Sequence, residues 1–192
     1  MAPIPTARSS GTRNRILEAA RTTFAALGYE GATLRNIAAQ ANTNVALVIR
    51  YFGSKEDLFA VAVDFDLRLP PLHALDRDML GELMVAHFLT IWEDNRSGRE
   101  LVALLRAAAS HVGAKSRMQQ IFHDQLLSVI ETLGFPPEEA RIRASLVASQ
   151  MLGFALIRYV LEFESGSIDY KPVVSALGRT IQRYLSEPLK SE

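Results

Sequence analysis

Apolar residues that return every three or four positions run along almost the whole chain, and that period restricts it to helices. Over residues 12–27 they are Ile16, Leu17, Ala20, Phe24 and Leu27, one stripe of a single helix. Gly28 stands where a left-handed C-cap is needed, and Gly31 keeps the next connection short. Thr33 can cap a second helix that turns Leu34, Ile37, Ala38 and Ala41 inward. Asn42, Thr43 and Asn44 then interrupt the period. Asparagine tolerates the left-handed backbone of a tight turn, and Asn44 is a good cap for a third helix through Tyr51. Ser54, Lys55, Glu56 and Asp57 have the pattern of a capping box. The helix it opens would bury Leu58, Phe59, Ala62 and Phe65 and stop at Pro70 and Pro71.

The same period predicts five further helices over 78–93, 99–112, 115–133, 138–163 and 172–185. Breakers separate them at 95–98, Gly113, 134–137 and 165–169. No alternating strand pattern and no internal repeat interrupts this series. The expected fold class is therefore all-α: an N-terminal three-helix helix-turn-helix head joined to a larger C-terminal helical bundle. The expected division is an arm over 1–11, a helix-turn-helix head over 12–54, and a larger helical body over 55–192.

Charge adds an asymmetry that the whole-chain balance hides. The formal net charge is zero, yet residues 1–55 hold seven basic side chains against two acidic ones. A basic head on an acidic body suits a chain that meets phosphates at one end. With 48% hydrophobic and 22% charged residues, the chain is not compositionally disordered. It has no cysteine, which excludes disulfides, thiol nucleophiles and cysteine-based zinc sites. Residues 1–11 lack the apolar core of a secretory signal. The apolar run 146–161 is broken by Ser149, Gln150 and Arg158, so no membrane span is expected, and a cytoplasmic location follows by default.

Two short helices separated by a tight turn can present the second to a major groove about 12 Å wide. Val48 and Phe52, four apart, would pin the third helix inward and leave Val45, Ala46, Ile49 and Arg50 outward. Apolar Val45 and Ile49 on that side fit contact with thymine methyl groups; packing against the body is the other reading of the same two residues.

These segments resemble the DNA-binding domain of the tetracycline-repressor (TetR) family. The resemblance is carried by Thr33 to Ala41 (TLRNIAAQA), by Asn42 to Phe52 (NTNVALVIRYF) and by Gly53 to Leu58 (GSKEDL), with Arg13 to Ala20 (RNRILEAA) fitting the first helix. It implies Thr33 and Tyr51 as phosphate contacts and Lys55 as the phosphate-binding lysine. It also implies Arg35 as a residue able to reach a base edge, and Asn44, Val45, Ala46 and Ile49 as readers. Three departures from the family pattern stand out. Asn42, Thr43 and Asn44 replace a usual Gly-Val-Ser, Ala46 replaces a glycine, and Ile49 replaces a tyrosine. The last removes a hydroxyl, so no operator sequence transfers.

The resemblance further implies a homodimer on a near-palindromic double-stranded DNA operator, an unidentified small-molecule effector, and repression relieved by that effector. The last two helices carry more apolar surface than one stripe requires. Leu146, Gln150, Phe154, Ile157 and Leu161, with Val173, Leu177, Thr180, Ile181 and Tyr184, read as a second face for dimerisation. The middle helices would enclose the effector among Phe65, Leu83, His87, Ile91 and Trp92, then Leu105, Ala108 and His111, then Phe122, Leu126 and Leu152. The same stripes are also what an ordinary core looks like. The four histidines, His73, His87, His111 and His123, have no metal-binding spacing. Neither a Gly-rich phosphate loop nor a di-iron pattern occurs, so no enzyme, metal or cofactor is expected. The alternative reading is a helical small-molecule-binding or scaffold protein without DNA-binding activity.

Overall fold

The second, third and fourth helices each begin where the sequence supplies a side-chain cap. In the computed structural model, which describes residues 7–163 and 169–189, α1 spans Ala7–Gly31, α2 Leu34–Gln40, α3 Val45–Phe52 and α4 Lys55–Ala62. Thr33, Asn44 and Ser54 cap α2, α3 and α4 through their side-chain oxygens. After two 3-10 turns at Leu72–Ala74 and Arg77–Met79 come α5 (Leu80–Glu93), α6 (Ser97–Ala108), α7 (Val112–Gln120) and a π-helical stretch, Ile121–Leu127. Then follow α8 (Ser128–Glu131), α9 (Pro137–Ala155), a π-helical extension at Leu156–Val160, and α10 (Tyr170–Ser186). No strand occurs among the described residues.

Several expectations are corrected. The arm expected over 1–11 is helical from Ala7, while 1–6 lie outside the described residues. The fourth helix ends at Ala62, well before Pro70, because Val63 already leaves helical geometry (φ −105°, ψ 16°). Gly113 sits inside α7, and the break falls instead at Ala109 and Ser110. The helix expected over 138–163 gives way to π geometry and then to Glu162 at φ 51°, so Leu161 and Phe163 leave its register. Of the breaker 165–169, only Asp169 is described, as the cap of α10.

The chain forms two compact units, residues 1–65 with 99–118 and residues 66–98 with 119–192. In the first, Ile16, Ala20, Phe24, Ile37, Val48, Leu58 and Phe59 are buried together with Leu104 of α6. Arg21, only 4% exposed, lies in this core with its Nε 2.6 Å from Glu100 Oε1 and its Nη1 2.7 Å from Glu18 Oε1. Its charge is answered internally, so it does not contribute to a basic surface as the charge pattern had suggested.

In the second unit, Leu80, Met84, Val85 and Leu89 of α5 pack with Leu126, Ile130, Val147, Met151, Ile181 and Leu185. Here α5 and α10 cross at Gly81 and Gly178, close enough that a Cβ on Gly81 would lie 2.1 Å from the Gly178 carbonyl oxygen. The Gly81 N–H donates to Gln182 Oε1 (2.8 Å), and the Gln182 amide donates to the Arg77 carbonyl (2.7 Å). Arg143 of α9 is 2% exposed. It donates to Glu139 and to the Tyr184 and Glu187 carbonyls, and its guanidinium lies 4.1 Å from the Phe135 ring centroid. It thereby answers carbonyls that the end of α10 leaves unpaired.

Contrary to expectation, Pro137–Val160 is long and apolar enough by length and composition to cross a bilayer. Its inner residues belong to the core just described, and the surplus apolarity lies on its outer side.

Candidate nucleic-acid interface

The turn between α2 and α3 rests on one residue. Asn42 adopts φ 51°, a conformation few non-glycine residues accept. Its N–H donates to Ala39 O (3.1 Å) and that of Thr43 to Ala38 O (2.9 Å). The chain is thereby reversed within three residues, and Asn44 Oδ1 accepts the Leu47 N–H at 2.9 Å to start α3. Val48 and Phe52 point into the core. Four positions apart on a helix, they fix which face looks out. Ala46, Ile49 and Arg50 are exposed, Val45 is half-buried, and Ile49 leaves 48% of its surface in solvent. An isoleucine so exposed on a well-packed short helix has no role in the core of this unit.

The flanking residues complete the surface. Thr33, Arg35 and Asn44 are exposed, while Tyr51 and Lys55 are half-buried. None of the nine residues expected to contact DNA is buried. The Thr33 hydroxyl is already engaged: it accepts the Asn36 N–H (3.1 Å) and donates to Asn36 Oδ1. To donate to a phosphate it must exchange that second bond. The α4 N-terminus is also occupied, because Asp57 Oδ2 accepts the Ser54 N–H (3.1 Å) and Ser54 Oγ accepts the Asp57 N–H (3.0 Å). With Glu56 and Asp57 in its first turn, this helix end does not attract an anion through its dipole alone. Lys55 has to bring the positive charge.

Two residues absent from the sequence-based set join this surface. The Arg13 guanidinium lies 4.9 Å from the Phe52 ring centroid, which brings a cation of α1 beside the end of α3. The Lys55 ammonium lies 4.3 Å from the Tyr29 ring centroid. Neither contact has a local signal, since the partners stand 39 and 26 positions apart in the chain.

The eleven residues expected to enclose an effector divide between the two units. Phe65, Leu105, Ala108 and His111 belong to the first. There Phe65 is buried, and His111 packs its ring 3.8 Å from the Tyr29 centroid. The other seven belong to the second. In that unit Leu126 is core and Trp92 is buried, stacked on Tyr159 at 5.1 Å. Phe122 packs against the core, His87 Nε2 donates to the Leu67 carbonyl (2.8 Å), and Ile91 and Leu152 are half-buried. Leu83 is 38% exposed. A cavity of about 110 Å³ in this unit is lined instead by Arg77, Leu80, Leu133, Phe135, Leu185 and Ser186, none of them among the expected eleven.

Of the residues expected at a dimer face, Ile181 is corrected outright. It is fully buried in the core, because its helix turns that side to α5. Phe154, Leu177 and Tyr184 also pack partly against that core. Leu146, Gln150, Val173 and Thr180 are half-buried, and Ile157 and Leu161 are exposed. Ile142, Leu156 and Phe163 are exposed as well and were not anticipated.

Near the start of α10, the hydroxyls of Tyr159 and Tyr170 both donate to Glu93 Oε1. Burial first, and then the bond to Glu93, push the Tyr159 phenol far above its ordinary value. The cluster gathers two phenol hydroxyls on one carboxylate and has no nucleophile or metal-ligand set. No metal-binding group of acidic or histidine side chains occurs among the described residues.

Comparison with known proteins agrees with this geometry. Residues 16–62 match the family model described as bacterial regulatory proteins, tetR family, and residues 78–185 match tetracyclin repressor-like, C-terminal domain. The chain is 40% identical over 52 residues to the HTH-type transcriptional repressor AcnR of Corynebacterium glutamicum, covering 27% of this chain and 28% of that protein. It is 42% identical over 57 residues to the HTH-type transcriptional dual regulator CecR of Shigella flexneri, covering 30% and 25%. The chain thus matches only about a quarter of the length of these curated relatives. Among solved structures, a TetR-family regulator from Streptomyces coelicolor aligns over 96% of this chain and 100% of its own, at 28% identity and TM-score 0.56. NalD, the secondary repressor of the MexAB-OprM multidrug efflux pump in Pseudomonas aeruginosa, aligns over 95% and 100%, at 20% identity and TM-score 0.68. SmeT in a complex with triclosan aligns over 94% and 99%, at 21% identity and TM-score 0.63. The last two are likenesses of fold.

Proposed function

This chain belongs to the tetR family of bacterial regulatory proteins, and from that premise we propose that it represses transcription in the cytoplasm as a homodimer on a near-palindromic operator, released by a small-molecule effector. The observation that carries the reading is α3: Val48 and Phe52 anchor it, and Ala46, Ile49 and Arg50 stand outward with an apolar side chain in solvent. Val45, Ala46 and Ile49 meet base edges, with Ile49 suited to a thymine methyl. Asn44 and Arg50 flank them. Arg35 reads a base edge from the start of α2, and Thr33, Tyr51 and Lys55 hold phosphates, contacts that set register rather than sequence.

A homodimer supplies the two half-sites, about one helical turn apart. Its face is the outward side of α9 and its extension, with Leu146, Gln150 and Ile157, now joined by Ile142 and Leu156, with Leu161 just past the end of the extension, and supported by Val173, Leu177, Thr180 and Tyr184 of α10. The effector site belongs to the second unit, near His87, Ile91, Trp92, Phe122 and Leu152. The triclosan in the SmeT structure supports a small organic molecule as the class of effector. CecR is a dual regulator, so activation at some operators is the outcome to watch.

The test is selection of bound duplexes from a random pool, followed by binding at several salt concentrations. Lys55→Ala should weaken every duplex and lower the salt slope by about 0.9 for each phosphate that is no longer neutralised. Arg35→Ala should relax base preference at one position per half-site, with discrimination there falling by about 1–3 kcal/mol. Equal losses on all duplexes for both variants would contradict this division. Sedimentation at micromolar concentration should give twice the 21.2 kDa chain mass.

A further inference from the structure

Lysine is a poor fixed point. Its four-carbon stem is flexible and its ammonium strongly hydrated, so a lysine meant to meet a phosphate in one place benefits from a support. Lys55 has one. Its Nζ lies 4.3 Å from the centroid of the Tyr29 ring. Such a contact draws on the negative face of the ring and leaves the N–H donors that point away from the ring available to oxygen acceptors.

The ring is held in turn. Gly28, at φ 69° and ψ 176°, breaks the path of α1 immediately before Tyr29 and sets the residue off the helix line. A side chain other than hydrogen there would oppose that backbone. The Phe59 ring meets Tyr29 edge-on at 4.9 Å, and His111 lies against it at 3.8 Å, tilted by 41°. His111 is itself fixed: its N–H donates to Ala107 O (2.8 Å), and its Nδ1 accepts the Ala114 N–H (3.1 Å). Burial first, then the carboxylates of Glu56 and Glu30, push the Tyr29 phenol up. The ring therefore meets the ammonium as a neutral π face rather than as a phenolate.

We infer that Tyr29, seated by Phe59 and His111, is a positioning residue for Lys55, holding its ammonium at the α3–α4 surface before a phosphate arrives. The inference rests on the reading of Lys55 as a phosphate contact and names what prepares it. Tyr29 itself touches no DNA. Its effect is pre-organisation: less side-chain freedom is given up on binding.

Three substitutions, Tyr29→Leu, Tyr29→Phe and Lys55→Ala, and the Tyr29→Leu/Lys55→Ala pair are to be measured on a mixed-sequence duplex long enough for two half-sites, across a salt series. Tyr29→Leu should weaken binding about two- to fivefold for each Lys55 engaged while leaving the salt slope unchanged, because the lysine still reaches its phosphate. Tyr29→Phe should match the parent. In the Lys55→Ala background, Tyr29→Leu should have no further effect. Where Tyr29→Leu disturbs folding, pentafluorophenylalanine at position 29 keeps the shape of a ring while removing its negative face, and the same loss is expected. Additive losses in the cycle, no loss with Tyr29→Leu, or parent-like binding with the fluorinated ring would each overturn the positioning role alone. An unchanged affinity and slope with Lys55→Ala would instead remove the phosphate contact, and the inference with it.

Discussion

Gly81→Ala sets two effects on stability against each other, and the structure decides which wins. In an unobstructed helix interior, alanine is favoured over glycine by about 1 kcal/mol. At Gly81 the added Cβ would lie 2.1 Å from the Gly178 carbonyl oxygen and 2.6 Å from the Gln182 nitrogen. Both are backbone atoms, so no rotamer change relieves the contact. Ordinary separation requires α5 and α10 to part by about 1 Å, and a gap of that size forfeits about a quarter to a half of each facing dispersion contact. The side chains at stake, Leu80, Val85, Ile181 and Leu185, are core. The Gly81 N–H bond to Gln182 Oε1 at 2.8 Å would stretch as well. Overpacking of this kind costs about 3 kcal/mol at the upper end of its usual range. After the helix preference is credited, a net loss of about 2 kcal/mol remains. For a chain of this size that is a fall in Tm of about 4–8 °C. The assay is thermal unfolding by circular dichroism at one fixed protein concentration, because the proposed homodimer would make Tm concentration-dependent. Gly11→Ala is the control: a Cβ there meets nothing within 4 Å, so only the helix preference acts and Tm should hold or rise. A Tm for Gly81→Ala equal to or above that of the parent would refute the close crossing of the two helices.

Two further outcomes can be checked by urea unfolding. Arg21→Met removes the guanidinium that lies 2.6 Å from the buried Glu100 carboxylate, and a loss of about 3–5 kcal/mol is expected; adding Glu100→Leu should recover most of it, and a single variant as stable as the parent would contradict the pairing. Asn44→Ala deletes the acceptor of the Leu47 N–H, and without DNA it should cost about 1 kcal/mol, whereas Asn44→Ser should cost almost nothing.

Local chemistry carried much of this protein into view from its sequence. The caps at Thr33, Asn44 and Ser54 stand at the starts of α2, α3 and α4, because a cap is a bond between a side chain and a backbone group three residues on. The turn at Asn42 and the inward pair Val48 and Phe52 were equally legible, since helical period alone fixes which face is apolar. Where competing effects are not local, the reading failed. The fourth helix ends eight residues before the proline that seemed to end it. The 138–163 helix passes into π geometry, a change in backbone hydrogen bonding that apolar period does not encode.

What the sequence determined by itself was the helical class, the helix-turn-helix and the identity of its outward residues, all set by neighbours within about four positions. Only the tertiary structure decided which long-range partners meet. Ile181 looked like a partner-facing residue until α10 turned it onto α5, and Arg21 looked like surface charge until Glu100 of α6 paired with it. Tyr29 showed no link to Lys55 until the chain brought them together. The physical reason is common to all three. A side chain's burial and its charge partners depend on elements far along the chain, and no local pattern records which of them will arrive.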